Sequence, residues 1–228
     1  MTSLSTITHV ADDGAFAAVV DHLLVPIFPP SERGDRSDLM AMFRAGDLDV
    51  WASWEDGQPI GTAIGSWPSD PNDVILLTWL AVGEAGRGRG LGSALIETVR
   101  EAWRESFDPL LILGEVEDPD FHEGSAATGD PAARLRFYEQ RGARRVDLPF
   151  VMPRVTPRDR VEHMLLLALG GRALTAGGPD GPSEREIAAA IDRFLRAYLE
   201  MSAEPVVAGR YCEDIEAMLE HAPHARLL

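Results

Sequence analysis

The chain has 228 residues, 45% hydrophobic and 25% charged, with 21 Gly and 16 Pro, a composition of ordinary globular type that excludes disordered and fibrous architectures. Thirty-seven acids against 21 bases leave a net charge of −16, which repels phosphate backbones and anionic headgroups, so neither nucleic acid nor a membrane surface is an expected partner. All 21 bases are Arg, which excludes a P-loop and any Schiff-base or pyridoxal phosphate site, and a lone Cys212 excludes an intramolecular disulfide and a Cys-x-x-Cys metal cluster.

In chain order, Met1 to Val10 is polar and lacks a secretory pattern, and no apolar run reaches the roughly 20 residues of a bilayer span, so the chain reads as cytoplasmic. Alternation over Ser5 to Val10 predicts a strand, and Asp12 or Asp13 caps a helix through about Leu24 that Pro26 should stop. A second helix is predicted from an N-cap at Ser31 to a stop at Gly46. Three strands, Leu48 to Trp54, Ile60 to Trp67 and Val74 to Val82, are separated by turn compositions and read as an antiparallel meander.

A Gly-rich segment, Gly83 to Gly92, then opens a helix to about Ser106 with Leu91, Leu95, Val99 and Trp103 on one face. Leu110 to Val116 is a buried strand, Asp118 to Asp130 a polar loop, and Pro131 the first residue of a helix ending near Arg141-Gly142. Strands over Ala143 to Met152 and Val161 to Leu169 complete a first domain, residues 1–170. A Gly/Pro-rich linker follows over 171–182, then a helical tail, 183–228. Ser183 with Glu186 forms a capping box for a helix through Leu199, and a second helix covers about Tyr211 to Leu219. Such a short tail must pack on the core or on another subunit, which makes a homodimer one expectation.

The segment with chemical content is Leu77 to Val82, then Gly83-Glu84-Ala85-Gly86, then Arg87-Gly88-Arg89-Gly90-Leu91-Gly92-Ser93. A strand, a Gly-rich turn and a helix in succession aim several main-chain N–H groups at one point, and the helix N-terminus adds partial positive charge, so a pyrophosphate can be held without Lys. Arg87 and Arg89 could neutralise the same oxygens. A dinucleotide fingerprint fails, because Leu91 and Leu95 stand where its third Gly is needed. A plain flexible turn is the bland alternative, made less apt by four glycines interleaved with arginines ahead of an apolar helix.

Arg87-x-x-Gly90-x-Gly92 after the strand Leu77 to Val82 resembles the acetyl-coenzyme A signature of the GNAT superfamily of N-acetyltransferases, and Leu135 to Ala143, with Phe137-Tyr138-Glu139, is similar to its second motif. The likeness covers about Ser5 to Leu169 and leaves out the tail. It implies an α/β fold with a mixed, mostly antiparallel sheet flanked by helices, to which the tail is a C-terminal helical extension. It further implies that main-chain amides from Gly88 to Ser93, through Arg89, Gly90, Leu91 and Gly92, bind the coenzyme pyrophosphate with Arg87 and Arg89 beside it. Leu80, Ala81 and Val82 would pair with the pantetheine like an added strand, placing the thioester near a donor around Val82.

The same resemblance puts Tyr138 where many members have the general acid for the departing thiolate, a role that suits a phenol still protonated at neutral pH. Read locally, Tyr138 is equally a core aromatic beside Phe137. The chain departs from the pattern at Pro131, where many members carry Asn, and at Leu77-Thr78-Trp79, where many carry an acid.

An ammonium acceptor must lose a proton before it attacks, and the acids gather at Asp108, Glu115, Glu117, Asp118, Asp120, Glu123 and Asp130, with His122 and no Arg between them. Glu115, on the buried strand, is the first candidate for base or ammonium anchor, and His122 the second; a solvated acidic loop is the alternative for any one of them. Metal ligation by this loop is not expected. Met40, Met42 and Phe43 lie where acceptor-covering helices of the family would stand. These readings together predict an acetyl-coenzyme A-dependent N-acetyltransferase acting directly on a primary amine of a small cationic molecule. The alternatives are a non-catalytic acyl-coenzyme A sensor and an acyltransferase for longer chains.

Overall fold

The computed structural model describes residues 6–124, 129–157, 160–175 and 181–228. Seven strands form a mixed, mostly antiparallel sheet flanked by helices, in the order β1-β2-β3-β4-β5-β7-β6. The chain divides into two compact units: residues 1–66 with 77–106, and residues 67–76 with 107–228.

The first unit begins with β1 (Ile7–His9) and α1 (Asp13–Val19), whose N-cap Asp12 accepts the Ala15 N–H at 2.9 Å. Ser5 of the expected strand lies outside the described residues. Pro26 does not stop this helix: a π-turn, Val20–Leu24, widens the spiral, and α2 (Val25–Ile27) carries Pro26 before the chain extends at Phe28. The wider turn carries the chain past the point where a proline would clash with the carbonyl one turn back.

The next helix likewise does not start once at Ser31. It is split into α3 (Pro30–Arg33) and α4 (Arg36–Ala45) by Gly34 at φ +70°, and it ends at Gly46 in the left-handed conformation, as expected. β2 (Leu48–Glu55) pairs antiparallel with β1 and with β3 (Gln58–Ser66). β4 (Val74–Val82) has the bounds read from the sequence; from Leu77 it belongs to this unit.

α5 (Leu91–Ser106) buries the predicted face, with Leu91, Leu95, Val99 and Trp103 all at 6% exposure or less. Its close approach to β3 depends on two glycines. A Cβ at Gly61 would stand 2.8 Å from Leu91, and one at Gly65 would stand 2.4 Å from the Trp103 ring. A second cluster of this unit joins Phe16, Val20, Leu23, Leu39, Val50 and Ile64 to Trp79 and Ala81 of β4.

In the second unit β5 (Leu111–Glu117) pairs antiparallel with β7 (Met164–Gly170), and β6 (Arg144–Arg145) pairs with β7 on its other side. The strand expected over Ala143 to Met152 shrinks to those two residues and the Val146 N–H bond to Leu166, because Pro149 and Pro153 have no N–H to extend a ladder. Asp147 leaves β7 to pair with Arg226, and Val146 bridges Leu227. Arg144 donates to the carbonyls of Leu227 and Leu228, so the last residues lie along this edge.

α6 (Pro131–Glu139) is capped by Asp130, which accepts the Ala132 N–H at 2.9 Å. The expected linker contains a short helix, α7 (Arg172–Thr175), while residues 176–180 lie outside the described ones. α8 (Glu184–Met201) begins at the predicted capping box of Ser183 and Glu186, and α9 (Glu213–His221) follows. Ile187, Ile191, Phe194 and Leu195 of α8 share one core with Leu111 and Leu113 of β5, Leu166 of β7, and Ile215 and Met218 of α9. The tail helices thus complete the hydrophobic interior of the second unit.

Candidate functional site

The turn after β4 is built from main-chain geometry. Gly83 N–H bonds the Ile60 carbonyl at 3.0 Å, and a 3₁₀ turn, Glu84–Gly86, closes with Gly86 N–H on Gly83 O at 2.9 Å. Gly86 is wedged in place, since a Cβ there would lie 2.8 Å from both the Ile60 oxygen and Leu91 Cδ2. Gly88 and Gly90 then take φ of +71° and +74°, with nothing within 4 Å of where a Cβ would stand. These two left-handed residues turn the chain into α5 with no side chain over its end.

The first helical bond of α5 is Ala94 N–H on Gly90 O at 3.2 Å. Among the described residues, no main-chain acceptor takes the N–H groups of Gly88, Arg89, Gly90, Leu91 or Gly92. A row of consecutive amides at the positive end of a 16-residue helix is a site suited to an anion. Leu80 and Val82, just upstream, are half-buried and alternate with Ala81, which points into the core at 1% exposure.

The two arginines differ. Arg89 Nη1 sits 3.0 and 3.1 Å from the two Glu55 carboxylate oxygens and also donates to the Ala85 carbonyl at 3.1 Å, so it braces the turn against the end of β2. Arg87 is exposed and enters no ion pair among the described residues. The expected equal pair is therefore one tethered and one available guanidinium.

In the second unit, β5 turns Glu115 to the same face as Leu113 and Glu117, where α8 covers it. Glu115 Oε2 accepts the Tyr198 hydroxyl at 3.2 Å. Burial, together with the neighbouring carboxylate and this hydrogen bond, holds the Tyr198 phenol well above its usual range. Sequence reading did not single out Tyr198, which stands 83 residues along the chain from its partner.

Tyr138 lies on the buried side of α6 with Pro131 and Leu135, 8% exposed. Burial pushes its phenol up to about 12, with Arg134 pulling weakly the other way. A tyrosine so placed stays protonated across the physiological range, as a proton donor must.

The acidic loop is less bare in space than in sequence. Arg134 of α6 donates to Glu117 at 3.1 Å, and His122 bonds the Glu162 carbonyl at 2.7 Å, 3.9 Å from Glu117 on its other nitrogen. Phe121, exposed, stacks on the His163 ring at 4.1 Å. His122 is thereby occupied as a loop brace. Met40, Met42 and Phe43 serve packing: Met40 is 5% exposed, and Phe43 stacks on Phe16 at 4.4 Å. Trp79 and Trp103 are core, and both Trp51 and Trp103 donate to Asp49 Oδ2 at 2.7 Å. Among the described residues, no group of three His, Cys, Asp or Glu could hold a metal ion, and no helix is long and apolar enough to cross a membrane.

Residues 17–122 match the model of the acetyltransferase (GNAT) family. Among solved structures, a GNAT-family protein from Bacteroides thetaiotaomicron is 23% identical, with 73% of this chain and 87% of that one covered and a TM-score of 0.58. The tandem GNAT protein from the clavulanic acid biosynthesis pathway is also 23% identical, covering 64% of this chain and 46% of its own, with a TM-score of 0.51. An acetyltransferase from Streptococcus agalactiae is 14% identical over 71% of this chain and 95% of its own, with a TM-score of 0.50. At such identities the likeness is one of fold. No curated protein matches the sequence.

Proposed function

We propose that this chain, whose residues 17–122 match the GNAT acetyltransferase family model, transfers an acetyl group from acetyl-coenzyme A directly to a primary amine of a small cationic molecule. The observation that carries this reading is the run of main-chain N–H groups from Gly88 to Gly92, with Arg87 beside it. A pyrophosphate fits that run because Gly88 and Gly90 leave nothing above the amides. On this reading Ser93 lies at the end of the pyrophosphate site and Leu80 to Val82 run beside the pantetheine, while Arg89 contributes charge at second hand as it holds the turn to Glu55.

In the reaction the amine nitrogen forms a bond to the acetyl carbon and the carbon–sulfur bond breaks, with no acyl-enzyme between. Glu115 takes the proton the ammonium sheds or anchors it, and Tyr138 delivers a proton to the departing thiolate. The Tyr138 phenol is protonated at neutral pH, as a donor must be, while burial makes it a weaker acid than a free tyrosine. The carboxylates of Glu115, Asp118, Asp120 and Glu123 favour a cationic acceptor over an anionic one.

Two measurements in series test the reading. Titration calorimetry with acetyl-coenzyme A should register binding that Gly90→Glu weakens about thirtyfold or more; no heat from the native protein overturns it. Thiol release is then followed over polyamines, aminoglycosides, amino acids and peptides. Release with cationic amines supports the transferase. Binding without release leaves an acyl-coenzyme A sensor, and release only from longer acyl thioesters leaves a different acyl donor.

A further inference from the structure

We propose that Tyr198 of α8 is a positioning residue for Glu115, its hydroxyl fixing the carboxylate in the orientation that meets the acceptor amine. This rests on Glu115 serving the acceptor, as argued above. The bond itself is direct: Tyr198 Oη donates to Glu115 Oε2 at 3.2 Å. The setting makes the hydroxyl informative. Ile187, Ile191, Phe194 and Leu195 put the α8 stripe into the core, and Tyr198 continues it, its ring 5.4 Å from that of Phe194. A phenylalanine would meet every packing need of that position, so the oxygen is surplus to the core and has Glu115 as its partner.

Charge makes the donor permanent. A phenol beside a half-buried carboxylate ionises only at high pH, because the two anions would repel, and Tyr198 is held well above its normal range for that reason after burial itself. Tyr198 therefore donates throughout the working range of an acetyl transfer. Around Glu115, β7 places Leu166 opposite, and Glu117 follows on the same strand and pairs with Arg134 of α6. The helix that supplies the hydroxyl lies beyond residues 17–122, so the segment that matches the family does not contain it.

The test uses the full chain, its Tyr198→Phe, Glu115→Gln and doubly substituted variants, and two readouts. The first is kcat/KM for the amine against pH. The second is the ¹³C resonance of the Glu115 carboxyl, assigned by its loss in Glu115→Gln, which reports titration with no turnover. Removing a donor that favours the carboxylate should move the acid limb and the resonance midpoint upward by roughly one pH unit, with KM for acetyl-coenzyme A unchanged. Tyr198→Phe should add nothing to Glu115→Gln. An active Tyr198→Phe variant with an unmoved profile and resonance overturns the proposal and leaves the transferase reading standing. If the native chain releases no thiol with any amine, the transferase reading falls and the resonance decides: a shift supports the Tyr198 link, and no shift overturns it.

Discussion

The turn from Gly83 to Gly92 and the Glu115–Tyr198 pair solve opposite problems with opposite materials. The turn offers an anion main-chain amides, so its identity lies in a contiguous run of residues whose small size and left-handed φ angles matter more than any functional group. The pair is made of side chains, a carboxylate accepting the hydrogen bond of a phenol, and its parts come from a strand and a helix 83 residues apart. Sites made of backbone are written locally; sites made of side chains are written across the fold.

The largest expected effect lies with a further side chain, Tyr138 of α6. Tyr138→Phe keeps the buried ring and removes only the hydroxyl, so kcat should fall about a hundredfold while KM for acetyl-coenzyme A holds, as steady-state kinetics would show. Next comes the backbone half. Gly90→Glu adds a like charge and a Cβ at φ +74°, and acetyl-coenzyme A affinity by calorimetry should fall about thirtyfold or more, with far-ultraviolet circular dichroism retained. If Tyr138→Phe weakened coenzyme affinity as much as Gly90→Glu does, the division between the halves would fail.

A finer contrast lies within the turn. Arg87→Gln should raise KM for acetyl-coenzyme A about fivefold and Arg89→Gln less than twofold, because Arg89 is committed to Glu55. The smallest effect is a matter of pH. Tyr138, raised to about 12 in the native chain, ionises near 10 when unfolded, so its contribution to stability is whole below pH 10 and is lost as pH rises toward 12. Chemical denaturation at pH 9 and pH 11 should show a fall that Tyr138→Phe reduces.

How much of this was legible in the sequence follows the same line. β4, the buried face of α5, the Gly46 stop and the Ser183–Glu186 box were read correctly, because each depends on near neighbours in the chain. Pro26 misled, since the π-turn that admits it is set by burial of Val20, Leu23 and Leu24 rather than by a local signal. Ala143 to Met152 has strand composition, yet its prolines and the competing partner at Arg226 end the ladder after a few residues. The tie of Arg89 to Glu55, the Glu117–Arg134 pair and the Tyr198 hydroxyl were invisible because each joins residues remote in sequence.

The arrangement of residues 226–228 along β6 has a further consequence. A short outer strand exposes unpaired amides and carbonyls, the usual template on which other molecules stack into aggregates. Here Asp147, Val146 and Arg145 already have Arg226, Leu227 and Leu228 as partners, so the protein shields that template with its own chain.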